Sequence, residues 1–395
     1  MKSRKIAGHP GKEGFRGPEA VEFDKTPFVA IWETTRACDL ACKHCRAEAV
    51  SEPLEGELNT AEGKDLLTDL AGMGTPLCIL SGGDPAKRED LCDLVAHGAW
   101  LGMRMATIPA ATELLDGKLV KDLKEAGLSQ IALSLDGPDE RVHDSFRGVP
   151  GSFSKTLEGA AFAREAGLPL QINTTFSDHN YEYFEEIGSL VEKLGVVFWE
   201  VFSLVPTGRG KELGELPAKL FEELFQRLSD YSRRVSFIVK ITEAPHYRRF
   251  LMQQAEKLMG KSETNSPEGL LPSHMRRDFG PGGSIGLAPK GVNAGRGHLF
   301  ISCTGDIYPS GFLPLPCGNI REASVSEVYR THPVFLELRD TEMLKGKCGI
   351  CEYRNICGGS RARAFAVTGD YLAVDPGCAY IVAGSPDVPI DDCAN

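Results

Sequence analysis

Three cysteines at CxxxCxxC spacing, Cys38, Cys42 and Cys45, follow the apolar run Phe28-Val29-Ala30-Ile31-Trp32. Their number is informative. Four thiolates close the coordination of a zinc ion or an iron–sulfur cubane, whereas three bind three irons of a [4Fe–4S] cluster and leave the fourth open to a substrate or cosubstrate. A structural zinc knuckle is the competing reading of the spacing alone. A second group lies further on, with Cys348, Cys351 and Cys357 at CxxCxxxxxC and Cys378 as candidate fourth thiolate. Four thiolates suit zinc or iron–sulfur alike. Cys303 and Cys317 are two more, too few to hold a cubane without help. Cys78, Cys92 and Cys393 have no motif partners and read as buried small side chains or an inert tail thiol.

These side chains need a scaffold, and from Phe28 the chain alternates apolar strands, glycine-bearing loops and amphipathic helices. That alternation predicts an α/β fold with a parallel sheet. Strands are expected over 28–32, 76–80, 103–107, 130–134, 170–175 and 197–204, with a seventh segment over 235–241. Six with crossover helices make an incomplete (β/α)6 barrel, whose open side admits a large substrate. Asn59 is the expected cap of the helix that follows the cysteine loop, with Glu62 three positions on. Strand ends carry Gly82, Gly83 and Asp84, then Ser134 and Asp136, then Asn173, then Arg209. Ligands of α/β sheets bind at such ends. Residues 1–26 read as an arm, 27–240 as the barrel, 241–299 as a linker or active-site cover, and 300–395 as a small cysteine-bearing domain with a tail.

Composition narrows the function. The 395 residues carry a formal charge of −11 and no long Lys/Arg run, which argues against a nucleic-acid partner. Twelve cysteines at metal-type spacings in a chain this long fit a reduced cytosol better than a disulfide scaffold. No apolar window approaches about 20 residues, so no membrane span is expected and a soluble, cytoplasmic protein is predicted.

The CxxxCxxC loop after a first strand, with His44 before its last cysteine, resembles that of the radical S-adenosylmethionine (SAM) enzymes. In that family SAM chelates the open iron, and one electron cleaves it to methionine and a 5′-deoxyadenosyl radical. The resemblance implies that Gly82-Gly83-Asp84-Pro85 is the loop that holds the SAM amino group, with Asp84 where glutamate is usual. It places Ser134 and Asp136 near the SAM ribose, and Asn173 and Arg209 near cofactor groups. Strand-end hydrogen bonding and helix capping are the plain alternatives for these four. Ala110-Ala111 departs from a common Asn-Gly pair. The late cysteines resemble the SPASM/twitch extension, in which Cys348, Cys351, Cys357 and Cys378 would hold an auxiliary [4Fe–4S] cluster. Ser310 and Ser360 stand where a full extension has cysteines, so one auxiliary cluster is expected.

Longer phrases, among them His143-Asp144-Ser145-Phe146-Arg147-Gly148, Leu204-Val205-Pro206-Thr207-Gly208-Arg209-Gly210 and Ala244-Pro245-His246-Tyr247, are similar to the branch that makes haem by the siroheme-dependent route and trims propionates in d-type haem synthesis. This implies hydrogen abstraction from a tetrapyrrole side chain, with His246, Tyr247 and Arg248, and Arg249 beside them, as candidate substrate contacts. A reductant such as ferredoxin or flavodoxin is the implied partner. A SPASM-type peptide maturase is the alternative enzyme, although residues 1–26 are too short for a leader-binding domain. A non-catalytic iron–sulfur carrier is the alternative of another class, and it has no use for SAM motifs.

Overall fold

The computed structural model describes residues 21–259 and 291–383. Most of the N-terminal arm and of the glycine-rich cover, and Cys393, therefore lie outside the described residues. Strands β1 (Val29–Glu33), β2 (Leu77–Ser81), β3 (Arg104–Thr107), β4 (Gln130–Ser134), β5 (Leu170–Phe176), β6 (Phe198–Ser203) and β7 (Ile238–Thr242) lie side by side in sequence order, all parallel. The sheet extends beyond the expected six strands at both edges. β7 joins β6, and β8 (His298–Ile301) pairs parallel with the free edge of β1, followed by antiparallel β9 (Asp306–Tyr308) and β10 (Gly318–Asn319). Residue 240 thus falls inside β7 and residue 299 inside β8.

Crossover helices cover one face: α1 (Thr60–Gly72), α2 (Leu91–Trp100), α3 (Gly117–Glu125), α4 (Glu140–Arg147), α5 (Ser152–Glu165), α6 (Phe184–Leu194) and α7 (Ala218–Arg234). Period-two alternation sorts each strand between this face and the other. On β6, Trp199 and Val201 enter the helix-side core while Glu200 and Phe202 face a cavity; on β5, Ile172 faces the core and Gln171, Asn173 and Thr175 the cavity. Trp199 anchors the core, with rings of Phe184, Tyr231 and Phe176 at 5.5, 5.0 and 6.4 Å. Cys78 is buried on the helix side, as expected of a small apolar side chain.

Local signals set the helix ends. Asn59 accepts from the Ala61 and Glu62 amides, and Glu62 reaches back to the Asn59 amide, so the expected capping box forms. Beyond β7 comes α8 (His246–Met259), a helix in a segment read from sequence as linker. After β10 follow α9 (Val325–Thr331), α10 (Pro333–Arg339), α11 (Gly346–Ile350) and α12 (Arg361–Thr368), with Cys348 in α11, Cys351 and Cys357 between the last two, and Cys378 after α12. Among the described residues no helix is long and apolar enough to cross a membrane.

Candidate active site

The loop after β1 presents Cys38, Cys42 and Cys45 to the cavity. Its path is fixed by backbone hydrogen bonds from Cys38 to Val50 (2.7 Å), Ala41 to Arg147 (3.2 Å) and Lys43 to Phe146 (2.9 Å). The sulfurs receive donors: the Leu40 amide lies 3.3 Å from Cys38 Sγ, the Ala49 amide 3.5 Å from Cys45 Sγ, and Arg147 Nη1 3.7 Å from Cys42 Sγ. Burial pushes the Cys38 thiol up to about 12 and raises Cys42 too, so a cation is needed to hold them as thiolates. Among the described residues no His, Cys, Asp and Glu set is arranged around a single metal ion. Three thiols on one cavity wall, each met by an N–H donor, fit a cluster, which spreads its ligands wider than one ion does.

Gly82 and Gly83 line the same cavity, and packing explains both glycines. A Cβ on Gly83 would lie 2.4 Å from the Ala37 carbonyl oxygen, and one on Gly82 2.7 Å from that of Thr35. This loop is therefore stitched to the cysteine loop, with the Gly83 amide on Thr35 (2.7 Å) and the Asp84 amide on Ala37 (2.7 Å). Asp84 itself is fully buried and does not line the cavity. Its carboxylate accepts from the amides of Ala86 (3.0 Å) and Ala110 (3.1 Å) and the Thr112 hydroxyl (3.1 Å), and burial raises its pKa. It ties the loop after β3 to the loop after β2.

The other expected residues divide in the same way. Ser134 and Asn173 line the cavity, Asn173 accepting from Gln171 Nε2 at 2.7 Å. Asp136 is buried behind the wall, ion-paired to Arg147 and accepting from the Thr175 amide (2.7 Å), and burial raises its pKa. Arg209 braces the cysteine loop, giving Nε to the Cys42 carbonyl (2.9 Å) and Nη1 to that of Ala49 (3.2 Å). His44 lines the cavity and stacks on Phe146, centroids 4.4 Å apart and planes 8° apart. Burial holds it far below the usual histidine range, hence neutral.

The late cysteines also converge. Cys357 has Cys348 and Cys378 as electrostatic neighbours, and Cys351 has Cys348. Burial pushes Cys357 up to about 12 and Cys378 to about 11, while the Gly359 amide lies 3.4 Å from Cys357 Sγ and Arg361 Nη2 3.9 Å from Cys348 Sγ. This set fits a second cluster by the same argument as the first. Cys303 and Cys317 stand in different surroundings, Cys303 beside Glu33 and Glu57, Cys317 donating to the Leu315 carbonyl at 3.3 Å. Ser360 caps α12 and gives its hydroxyl to Glu243 (2.6 Å); Ser310 accepts from the Phe312 amide at 3.2 Å.

One expected substrate contact is overturned. His246 is fully buried between Phe221 and Phe225, centroids 5.1 and 4.8 Å away, and does not line this cavity. As the first residue of α8 it points into the helix-side core, which the local Pro-His sequence does not reveal. Tyr247 and Arg248 do line the cavity, whereas Arg249 pairs with Glu222 outside it. Arg248 gives its guanidinium to the carbonyls of Val292 (2.9 Å) and Ile356 (3.1 Å). The other cations on the cavity wall face carboxylates: Arg46 with Glu33, Arg147 with Asp136, Lys240 with Glu200.

Sequence reasoning missed Arg147, Glu243 and His298 as site residues. Arg147 lies at the end of α4 and reaches Cys42 because α4 lies against the cysteine loop, a contact no local pattern signals. Glu243, at the C-terminal end of β7, lines the cavity with a left-handed backbone (φ +59) that costs a residue with a Cβ about 1–2 kcal/mol. Its position at a strand end was the available signal. His298 carried none, because only the sheet brings β8 beside β1.

A model of the radical SAM superfamily matches residues 32–191. The AdoMet-dependent heme synthase of Oleidesulfovibrio alaskensis is 40% identical over 387 residues, covering 94% of this chain and 95% of that protein. The chain belongs to the radical SAM superfamily. The AdoMet-dependent heme synthase of Nitratidesulfovibrio vulgaris is likewise 40% identical, over 95% of this chain and 98% of its own length. Streptococcus suis SuiB, solved bound to S-adenosylmethionine, shares the fold at a TM-score of 0.67 and 17% identity, over 90% of this chain and 78% of that one. The radical SAM enzyme described here accordingly uses a [4Fe–4S] cluster and SAM, and Cys38, Cys42 and Cys45 carry the family's spacing.

Proposed function

We propose that this radical SAM enzyme abstracts hydrogen from a carboxylate-bearing side chain of an iron tetrapyrrole, in a haem-forming reaction. The carrying observation is Arg248, a cavity-wall cation that donates to carbonyls and has the Cys357 thiol, rather than a carboxylate, as its acidic neighbour. A substrate carboxylate is the complementary ligand for such a group. The cavity, of about 510 Å3, lies within the range of about 300–1,000 Å3 common for cofactor-sized ligands. Val29, Ile31, Leu77, Ile79 and Ala106 make one wall apolar, while Gln171, Asn173, Glu200 and Lys240 make the other polar. A flat macrocycle with acidic arms matches both. The names of the 40% identical relatives point to the same chemistry.

In this reading Cys38, Cys42 and Cys45 hold the cluster whose open iron and SAM supply the hydrogen-abstracting radical. Gly82 and Gly83 offer backbone to SAM, His44 flanks it, and Ser134 and Asn173 line its other side. Asp84, Asp136 and Arg209 hold the loops that present these contacts. Cys348, Cys351, Cys357 and Cys378 hold one auxiliary [4Fe–4S] cluster, and a ferredoxin- or flavodoxin-type donor delivers the reducing electron. Anaerobically reconstituted protein is expected to hold about eight irons, one cubane per site. With SAM, reductant and iron coproporphyrin it should consume the macrocycle with matching 5′-deoxyadenosine. Formation of 5′-deoxyadenosine while the macrocycle persists would overturn the substrate reading and favour a peptide. No 5′-deoxyadenosine from protein with both clusters would overturn the enzyme reading.

A further inference from the structure

Three histidines line the cavity: His44, His143 and His298. Hydrogen bonds fix the tautomers of two of them, because a ring nitrogen that accepts a proton donor cannot itself carry the proton. His143 Nδ1 lies 3.1 Å from the Asp136 amide, an obligate donor, so its proton sits on Nε2 and it offers the cavity no lone pair there. His44 belongs to the cysteine loop, stacked on Phe146. His298 Nδ1 lies 3.1 Å from the Pro309 carbonyl, an obligate acceptor. Its Nδ1 therefore carries the proton and donates. Nε2 is left with a bare lone pair and no hydrogen-bond partner among the described residues. Metal-ligating histidines take this form, with the far ring N–H fixed on a carbonyl.

Position adds a second argument. In the sheet His298 pairs with Val29, at the start of β1, whereas the cysteine loop follows Glu33 at its end. Four residues of strand rise separate the two levels by about 13 Å. Arg46, Lys240 and Glu200 are the charged neighbours of His298, and Arg46 lies 4.3 Å over the ring of Phe300, one pleat along β8. By register His298 thus starts its strand four residues before the end of β1 that leads into the cysteine loop, and its ring lies beside cations and an aromatic face, with Arg46 reaching it from that loop. An iron held there leaves that rise of strand for the macrocycle, with a peripheral arm towards the cysteine loop.

We infer that His298 Nε2 is the axial ligand of the substrate iron, an assignment that rests on the tetrapyrrole reading above. The test is anaerobic titration of the holoenzyme with ferric coproporphyrin, read by absorption and by low-field paramagnetic resonance of the ferric ion, away from the cluster signals. Wild type should show a nitrogen-ligated ferric macrocycle. His298→Ala should lose that signature and regain it with added imidazole, while metal-free coproporphyrin binds both proteins alike. His298→Met should give a thioether-type spectrum, and the cluster iron content of each variant reports its folding. If wild type binds neither macrocycle, the tetrapyrrole reading falls and the ligation with it. If wild type binds iron coproporphyrin and His298→Ala, with full cluster iron, leaves its spectrum unchanged, the ligation alone is overturned.

Discussion

Two buried side chains change role once their surroundings are known. His246 has only the Gly377 backbone and, at 3.7 Å, the Asp375 carboxylate as polar neighbours that favour its charged form, and burial holds its pKa at about 3. The unfolded chain binds this proton below about 6.5 and the folded chain does not. The stability it permits is therefore complete above that pH and is lost as pH falls towards 3, by roughly tenfold in the folded ratio per unit. His246→Phe, against Phe221 and Phe225, should be as stable as wild type at pH 7 and more resistant at pH 5; thermal melts at the two pH values check this. Asp84 offers a parallel case. Asp84→Ala strips three donors of their buried acceptor, at about 1–3 kcal/mol for each left unsatisfied, and should weaken SAM binding by displacing the loop after β3. Asp84→Asn keeps an acceptor and should bind SAM nearly normally. A tenfold or larger loss in Asp84→Asn, about 1.4 kcal/mol, with the fold intact would instead mean direct contact with the SAM ammonium.

Among the elements, the loops after β1 and β2 behave as one unit, because two backbones approach where the side chain is a hydrogen. Gly83→Ala would push a methyl group against the Ala37 and Arg36 carbonyl oxygens. The expected outcome is a cysteine loop displaced from its cluster geometry: iron content should fall from about eight towards about four, with the auxiliary cluster retained and SAM cleavage lost. An unchanged iron count would show that the two loops move independently. The helix caps are simpler. Asn59→Ala should cost about 1 kcal/mol, the usual value of such a cap, with little effect on activity, as a denaturant titration alongside a turnover assay would show.

For the whole molecule, a buried arginine is a main tie between the late-cysteine segment and the barrel. Arg363 donates to Ser203 Oγ (2.6 Å), the Leu204 carbonyl (3.2 Å), the Glu243 carbonyl (2.9 Å) and Glu215 (3.1 Å), and stands 3.5 Å from Asp375. It holds Asp375 below the usual carboxylate range despite full burial. Removing one partner of such a network leaves buried charge uncompensated, at about 3–5 kcal/mol. Arg363→Met should therefore lower the melting temperature and release auxiliary iron before the iron at Cys38, Cys42 and Cys45, measured by chelator-accessible iron during heating. The continuous sheet fits this coupling, since β8–β10 extend the barrel edge.

Local chemistry was legible in the sequence because it is local. Cysteine spacing, the Asn59 cap with Glu62, the glycines after β2 and the apolar strand runs each depend on a few consecutive residues, and the six expected strands lie within a residue or two of their observed bounds. What the tertiary structure decided was direction and partnership. Asp84 and Asp136 stand at the strand ends that sequence marked, yet both face inward onto protein donors, because a carboxylate's orientation depends on loops from other strands. The barrel edge likewise depended on the return of β8 to β1 from about 270 residues downstream. His246, singled out in the sequence, is buried in the core, whereas His298, which carried no local signal, stands on the cavity wall, because the long-range pairing of β8 with β1 puts it there.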